Sequence, residues 1–498
     1  MSIALRGRLP ALFGLLALFA GCGDPYHPGV PPPDAYPVRS DWLVVSAPKV
    51  QPSRLDDPGY PPLLLLSRPR DTFSPDTLNL YREVESNNIL DARNLPAAQR
   101  RQFARVLTAH FGGPTSPRVE LAAGPGAKRL DDLIRLLEKG APTEEQASAF
   151  YAHVEDQLWR EDLPLFLLET AQEGREGLLE KARAFRKRLE SEEALLEQVR
   201  DALRLDPGTL AAGGTVYRRH CMDCHGLTGD GNGPGGRWLV PHPRDYRQGV
   251  FKFVSSDPAV AIGKPRRADL ARTVTHGMDG AGMTSFAALA PEEVDAVVSY
   301  VTHLSLRGEC EFETMKLALD RRFGLPDLTE IEGVVWGSPV EKVVHENLVA
   351  LAPIWLAAEE NPVVRDPDPY VTEEQRLRAA AEGHRIFNDP KLGTCTTCHV
   401  NYGRNPLLSY DVWGTVAVPR DLTTGTLRGG RSPEDLYLRV NIGIAGAGMP
   451  GFRDTLKPNE EQRAKGEHPL WQVVHFLRAL PDPAKRRALR EEYDIEIE

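Results

Sequence analysis

An eighteen-residue stretch of this chain occurs twice. Asp269–Phe286, DLARTVTHGMDGAGMTSF, aligns without a gap to Asp435–Phe452, DLYLRVNIGIAGAGMPGF, and nine positions are identical. A duplicated stretch of this length implies a duplicated folding unit, so it constrains the architecture before any other reading. The flanks repeat as well. Upstream of each copy stands Cys-x-x-Cys-His, at Cys221–His225 and at Cys395–His399. Before each motif a glycine is followed four residues later by an aromatic, Gly213 and Tyr217 in one copy, Gly383 and Phe387 in the other. After each copy comes an apolar helical pattern, EEVDAVVSYVTHL and LWQVVHFLRAL, with Tyr300 and Phe476 at matching places. Two small helical units of one design are therefore predicted, over residues 205–306 and 374–480.

A chain of 498 residues exceeds one domain on the scale of roughly 100–200 residues each, and 42 prolines with 43 glycines imply many loops. Residues 76–204 place apolar side chains at helical spacing, as in Leu130, Leu133, Ile134, Leu136 and Leu137, and Pro142-Thr143-Glu144-Glu145 reads as a helix start. Residues 307–373 hold VEKVVHENLVALAPIWLAAEEN and then the prolines of VVRDPDPYVTEEQ, the pattern of a helical linker. Residues 481–498 read as a charged tail. The predicted fold class is mainly α: two helical domains joined by a helical linker and preceded by an additional helical region.

The N-terminus, MSIALRGRLPALFGLLALFAGCGDP, sets Arg6 and Arg8 before an apolar run from Ala11 to Ala20 and small residues ending at Cys22. This is the pattern of an export signal over residues 1–21, and its run is short of the about 20 residues that a membrane span needs. Leu18-Phe19-Ala20-Gly21-Cys22 resembles the bacterial lipoprotein lipobox, with Phe19 where that family usually has leucine. The resemblance implies lipidation of Cys22 and a protein held at the periplasmic face of a bacterial membrane. Residues 22–75 are proline-rich and read as an extended membrane tether. The net charge of −10 gives nucleic-acid binding no support and suits basic protein partners.

In an exported protein Cys-x-x-Cys-His is an attachment signature for haem: the thiols form thioethers and the histidine ligates iron. The competing readings are a disulfide or half of a zinc site. Zinc would want a further Cys or His pair at suitable spacing, and each motif is followed instead by methionine, a soft ligand suited to haem iron. The expected cofactors are thus two covalently bound haem c groups, on Cys221 and Cys224 with His225, and on Cys395 and Cys398 with His399. Met283 and Met449 are the expected opposite ligands. Met278 aligns with Ile444 and is assigned to packing, while Gly280, Gly282, Gly446 and Gly448 let the backbone approach the porphyrin edge. His220, His276, His303 and His475 lack counterparts in the other copy and are assigned to packing or the surface. Cys310 stands outside both motifs and reads as a buried, inert thiol. Pro-Arg-Asp recurs after each motif, so Arg244 and Arg420 either pair with haem propionates or cap a turn.

These residues resemble the class I cytochrome c domain. Met283-Thr284-Ser285-Phe286 and Met449-Pro450-Gly451-Phe452 are similar to its Met-Pro-x-Phe/Trp loop, the first copy lacking the proline, and PRDYRQGVFKF is similar to a segment of cytochrome c domains in bacterial respiratory complexes. The resemblance implies that the Pro234 carbonyl accepts the N–H of the ligating histidine, with Pro406 in that place in the second copy. It further implies a single-electron carrier, not an enzyme, working between a quinol-oxidising complex and a terminal oxidase or reductase. A dihaem peroxidase and a cytochrome subunit of a larger oxidoreductase are the alternatives.

Overall fold

The computed structural model describes residues 35–38, 43–44, 90–91, 97–121, 123–140, 174–239, 241–319, 339–407, 409–411 and 416–497. The export signal and Cys22 lie outside them. The chain is mainly α-helical, as its periodicity predicts. Strands among the described residues are two-residue antiparallel pairs, such as Gly112–Gly113 with Ser116–Pro117. No helix among these residues is long and apolar enough to cross a membrane.

Among the described residues, three helices precede the first repeat unit: α1 (Ala97–Phe111), α2 (Ala123–Lys139) and α3 (Gly174–Leu203). The first unit contains α4 (Pro207–His220), α5 (Met222–His225), α6 (Arg267–His276) and α7 (Pro291–Leu319). Between the units runs α8 (Pro339–Glu360). The second unit contains α9 (Glu373–Asn388), α10 (Pro433–Ile442), α11 (Glu460–Ala464) and α12 (Pro469–Ala479), followed by α13 (Pro483–Tyr493).

The helical region and the linker are one module. Phe103 and Phe111 of α1, Leu133 and Leu137 of α2, Leu196 of α3, Cys310 and Met315 of α7, and Leu348 and Trp355 of α8 share a single core. The linker assigned to residues 307–373 is revised on this ground. Val340, Val344, Leu348, Ala352 and Trp355 form one buried stripe along α8, and such a stripe must be covered. The boundary at 306 does not hold either, because α7 runs through it into the same core. Cys310 is fully buried, and burial pushes its thiol well above the usual range, in line with an inert role.

Each repeat unit is built on one helix crossing. A methyl at Gly213 of α4 would lie 2.0 Å from the Ala296 carbonyl oxygen and 2.9 Å from Tyr300 Cβ of α7. A methyl at Gly383 of α9 would lie 2.1 Å from the Gln472 carbonyl oxygen and 2.9 Å from Phe476 Cβ of α12. The glycines let the backbones touch, and the aromatics four residues on pack across the crossing: Tyr217 against Tyr300 at 5.2 Å, Phe387 against Phe476 at 5.4 Å between ring centres. Caps start the helices. Asp206 accepts from Thr209 N ahead of Pro207 in α4, and Thr372 and Gln375 form a capping box on α9, as Ser432 and Asp435 do on α10. The tail folds back: Leu489 of α13 and Ile497 are buried in the core of the second unit, so 481–498 belongs to it.

Two contacts fix the units in place. Tyr36, in the stretch read as a tether, is buried with its hydroxyl 2.8 Å from that of Tyr300 and the Arg307 guanidinium over its ring. This residue of the stretch read as a tether is therefore docked on the first unit, and most of the stretch lies outside the described residues. The two repeat units also meet directly. Arg453 reaches both oxygens of Asp257 at 3.0 and 3.1 Å, Arg272 pairs with Asp435, and the Arg439 guanidinium lies 4.8 Å over the Phe253 ring.

Candidate cofactor site

The first attachment motif sits where α4 ends. Cys221 closes that helix, and the single turn of α5 carries Cys224 and His225. All four motif thiols are free and no disulfide joins either pair. Burial pushes the Cys221 thiol up to about 12 and that of Cys395 up to about 11. Burial also holds His225 at about 4 and lowers His399, which keeps both rings neutral at ordinary pH, the state that ligates a metal.

One ring nitrogen of each histidine is already engaged. His225 Nδ1 meets the Arg244 carbonyl oxygen at 3.3 Å, and His399 Nδ1 meets that of Arg420 at 3.1 Å. A carbonyl at Nδ1 sets the tautomer and leaves Nε2 for iron. The Pro-Arg-Asp segments therefore act first through their backbone. This differs from the acceptor expected at Pro234, which is half-buried in the loop that folds over the motif through Gly233 N to Cys224 O (3.2 Å) and Gly235 N to Asp223 O (2.9 Å). In the second copy Leu407 N reaches Cys398 O at 3.1 Å, nine residues on, as Gly233 stands nine residues after Cys224. By that register Pro406 corresponds to Asn232, not to Pro234.

The methionine loops superpose bond for bond. Met278 N donates to Met283 O and Ile444 N to Met449 O, both at 3.0 Å. Phe286 N donates to Val274 O at 3.1 Å and Phe452 N to Val440 O at 2.9 Å. Thr284 in place of Pro450 leaves this closure unchanged. Gly280 and Gly446 take φ of 67° and 72°, a left-handed backbone that other residues adopt at a cost. Met283 and Met449 are both half-buried. Met278 is half-buried too, and its backbone, rather than its side chain, has the assignable role.

The other histidines are placed elsewhere. His303 is buried with Nε2 donating to the Phe111 carbonyl at 2.9 Å, His475 pairs with Asp368 at 2.9 Å, and His220 and His276 are exposed. Three side chains beside the sites escaped sequence reasoning. Tyr246 packs 5.4 Å from the His225 ring, and Lys252 and Arg428 lie where the two units meet. Tyr246 and Lys252 follow Pro-Arg-Asp closely, which was the available signal; Arg428 had none.

The Cytochrome c family model matches residues 210–305, from the first turn of α4 into α7. The match supports a c-type cytochrome domain over that unit, and such a domain implies covalently bound haem c and electron transfer. A chain of the Kuenenia stuttgartiensis reducing HAO-like protein complex is 24% identical, over 54% of this chain and 95% of that one, with a TM-score of 0.36. No curated protein matches.

Proposed function

We propose that the protein is a dihaem electron carrier, lipidated at Cys22 and held at the periplasmic face of a bacterial membrane. The observation that carries the second haem is the repeated second bond, His399 Nδ1 to Arg420 O beside His225 Nδ1 to Arg244 O. Cys395, Cys398, His399 and Met449 would hold that haem as Cys221, Cys224, His225 and Met283 would hold the first. Haem bound there would supply one-electron chemistry, in which no bond is made or broken. Met283 and Met449, as thioether ligands, would raise the reduction potential and favour transfer over peroxide turnover. The partners are redox proteins, on this reading a quinol-oxidising complex on one side and a terminal oxidase or reductase on the other.

Mass spectrometry of the mature membrane-derived protein tests the count. Two haem adducts, on Cys221/Cys224 and Cys395/Cys398, and an acylated Cys22 are expected; one adduct or none defeats the dihaem reading. Absorbance of oxidised protein at the red edge of the visible spectrum reports methionine on iron, and its absence would remove Met283 and Met449 as ligands. A second reading, a subunit of a larger oxidoreductase, draws on the module of α1, α2, α3 and α8, which supplies none of these ligands. Isolation from native membranes as a stable complex would favour it.

A further inference from the structure

The loop that carries Met283 is held from outside its own unit. Asp279 and Gly280 at its tip are exposed, and within it Met278 N bonds Met283 O and Ala281 N bonds Met278 O, at 3.0 and 3.1 Å. From the second unit Arg428 reaches across. Its Nε and Nη2 both donate to the Gly280 carbonyl, at 3.3 and 3.2 Å. A methyl at Gly280 would stand 2.7 Å from Arg420 Nη2 and 3.0 Å from Thr426 Cγ2, so the second unit also fills the space beside that residue. The segment that carries Arg428 is itself fixed on the first unit. A methyl at the next residue, Gly429, would run into the Phe253 ring, and the Gly429 carbonyl accepts from Arg439 at 2.9 Å, whose guanidinium covers the same ring.

The matching contact in the other direction is of another kind. Lys252 stands eight residues after Arg244, as Arg428 stands eight after Arg420, yet Lys252 pairs with Asp411 at 3.0 Å. The loop that carries Met449 meets the first unit through apolar surface: a methyl at Gly263 would stand 3.2 Å from Ala445 Cβ. That loop also has a restraint of its own, because Pro450 follows Met449 and fixes φ where the first loop has Thr284. Backbone that is free to turn beside a ligand side chain loses entropy when the ligand is seated, and a bond from a fixed partner offsets that cost.

We infer that Arg428 of the second unit is a positioning residue for Met283 of the first, acting through the Gly280 carbonyl, so that docking of the two units seats the first haem's sulfur ligand. The inference rests on Met283 being the ligand opposite His225 and names what holds it there. An added base such as imidazole reaches that face of the haem only in molecules whose loop has swung Met283 away, so its apparent affinity reports how firmly the loop is seated.

Imidazole titration of full-length, haem-loaded Arg428→Met, with amide hydrogen exchange on the same sample, tests the assignment once helicity and haem content match wild type; Arg428→Gln replaces it where the methionine variant loses haem. One equivalent of imidazole is expected to bind several-fold more tightly than in wild type. The amides of Met278 and Ala281 are expected to exchange several-fold faster, while that of Ile444 in the second loop keeps its wild-type rate. Arg428→Lys, which keeps a donor, is expected to recover most of both changes. An unchanged imidazole affinity overturns the positioning role, even with faster exchange, because that pattern marks a purely structural contact. Equal loosening of both loops overturns it too, as a general loss of packing. Wild-type protein without the red-edge absorbance removes Met283 as a ligand and the inference with it, a failure separate from any result on the variants.

Discussion

Gly213 and Gly383 stand where the helices of the two crossings touch, and their spacing to Tyr217 and Phe387 was readable in the sequence while the reason was not. The reason lies in residues more than eighty positions away, the carbonyls of Ala296 and Gln472. Gly383→Ala is expected to destabilise the second unit by about 2–3 kcal/mol through forced separation of α9 and α12, read by chemical denaturation. His303 gives a pH signature. Burial holds it near 4 against 6.5 for a free histidine, so the unfolded chain binds its proton first as the pH falls. Its contribution is whole above pH 6.5 and declines toward pH 4, by about 3 kcal/mol in total. Denaturation of His303→Gln at pH 7 and pH 4.5 should show a weaker pH dependence than wild type; an unchanged slope would contradict the assignment. The two Cys-x-x-Cys-His motifs were legible because attachment demands fixed spacing. The acceptor of the histidine N–H was not, because any carbonyl serves and only the folded chain selects Arg244 and Arg420.

Helix α8 shows how an element misleads when read alone. Its apolar pattern predicted a helix correctly, yet its place between two repeats suggested a connector, whereas it completes a core begun by α1, α2 and α3. The sequence records a buried stripe but not which distant helices cover it. Trp355 marks the joint. Its Nε1 donates to Glu309 Oε2 at 3.0 Å, Glu309 also pairs with Lys264, and the ring meets Phe251 edge-on. Trp355→Ala is expected to cost about 3–5 kcal/mol, measured by thermal unfolding, and to loosen the first repeat unit from the helical module, read as new proteolytic cleavage between them. The methionine loops are the converse case, since their pattern was complete in the sequence and even the missing proline changed nothing in the closure.

The arrangement of the units relative to each other was invisible in the sequence, because repeat identity says what folds twice and nothing about how the copies touch. Their contact mixes ion pairs with the packing of Arg439 on Phe253. Arg453 and Asp257 are each about one-third exposed, so their pairing contributes only about 0–1 kcal/mol. Arg453→Ala should leave the unfolding midpoint nearly unchanged and the solution scattering profile compact; an expanded profile would show that this pair alone holds the units together. The docking of Tyr36 has a different consequence. If the lipid is on Cys22, the 14 residues from there to Tyr36 can stretch about 50 Å at most, where a free run to residue 75 would allow about 190 Å. The first haem unit is then kept on a short leash, swivelling close above the lipid headgroups, and any redox partner must meet it within that shallow layer.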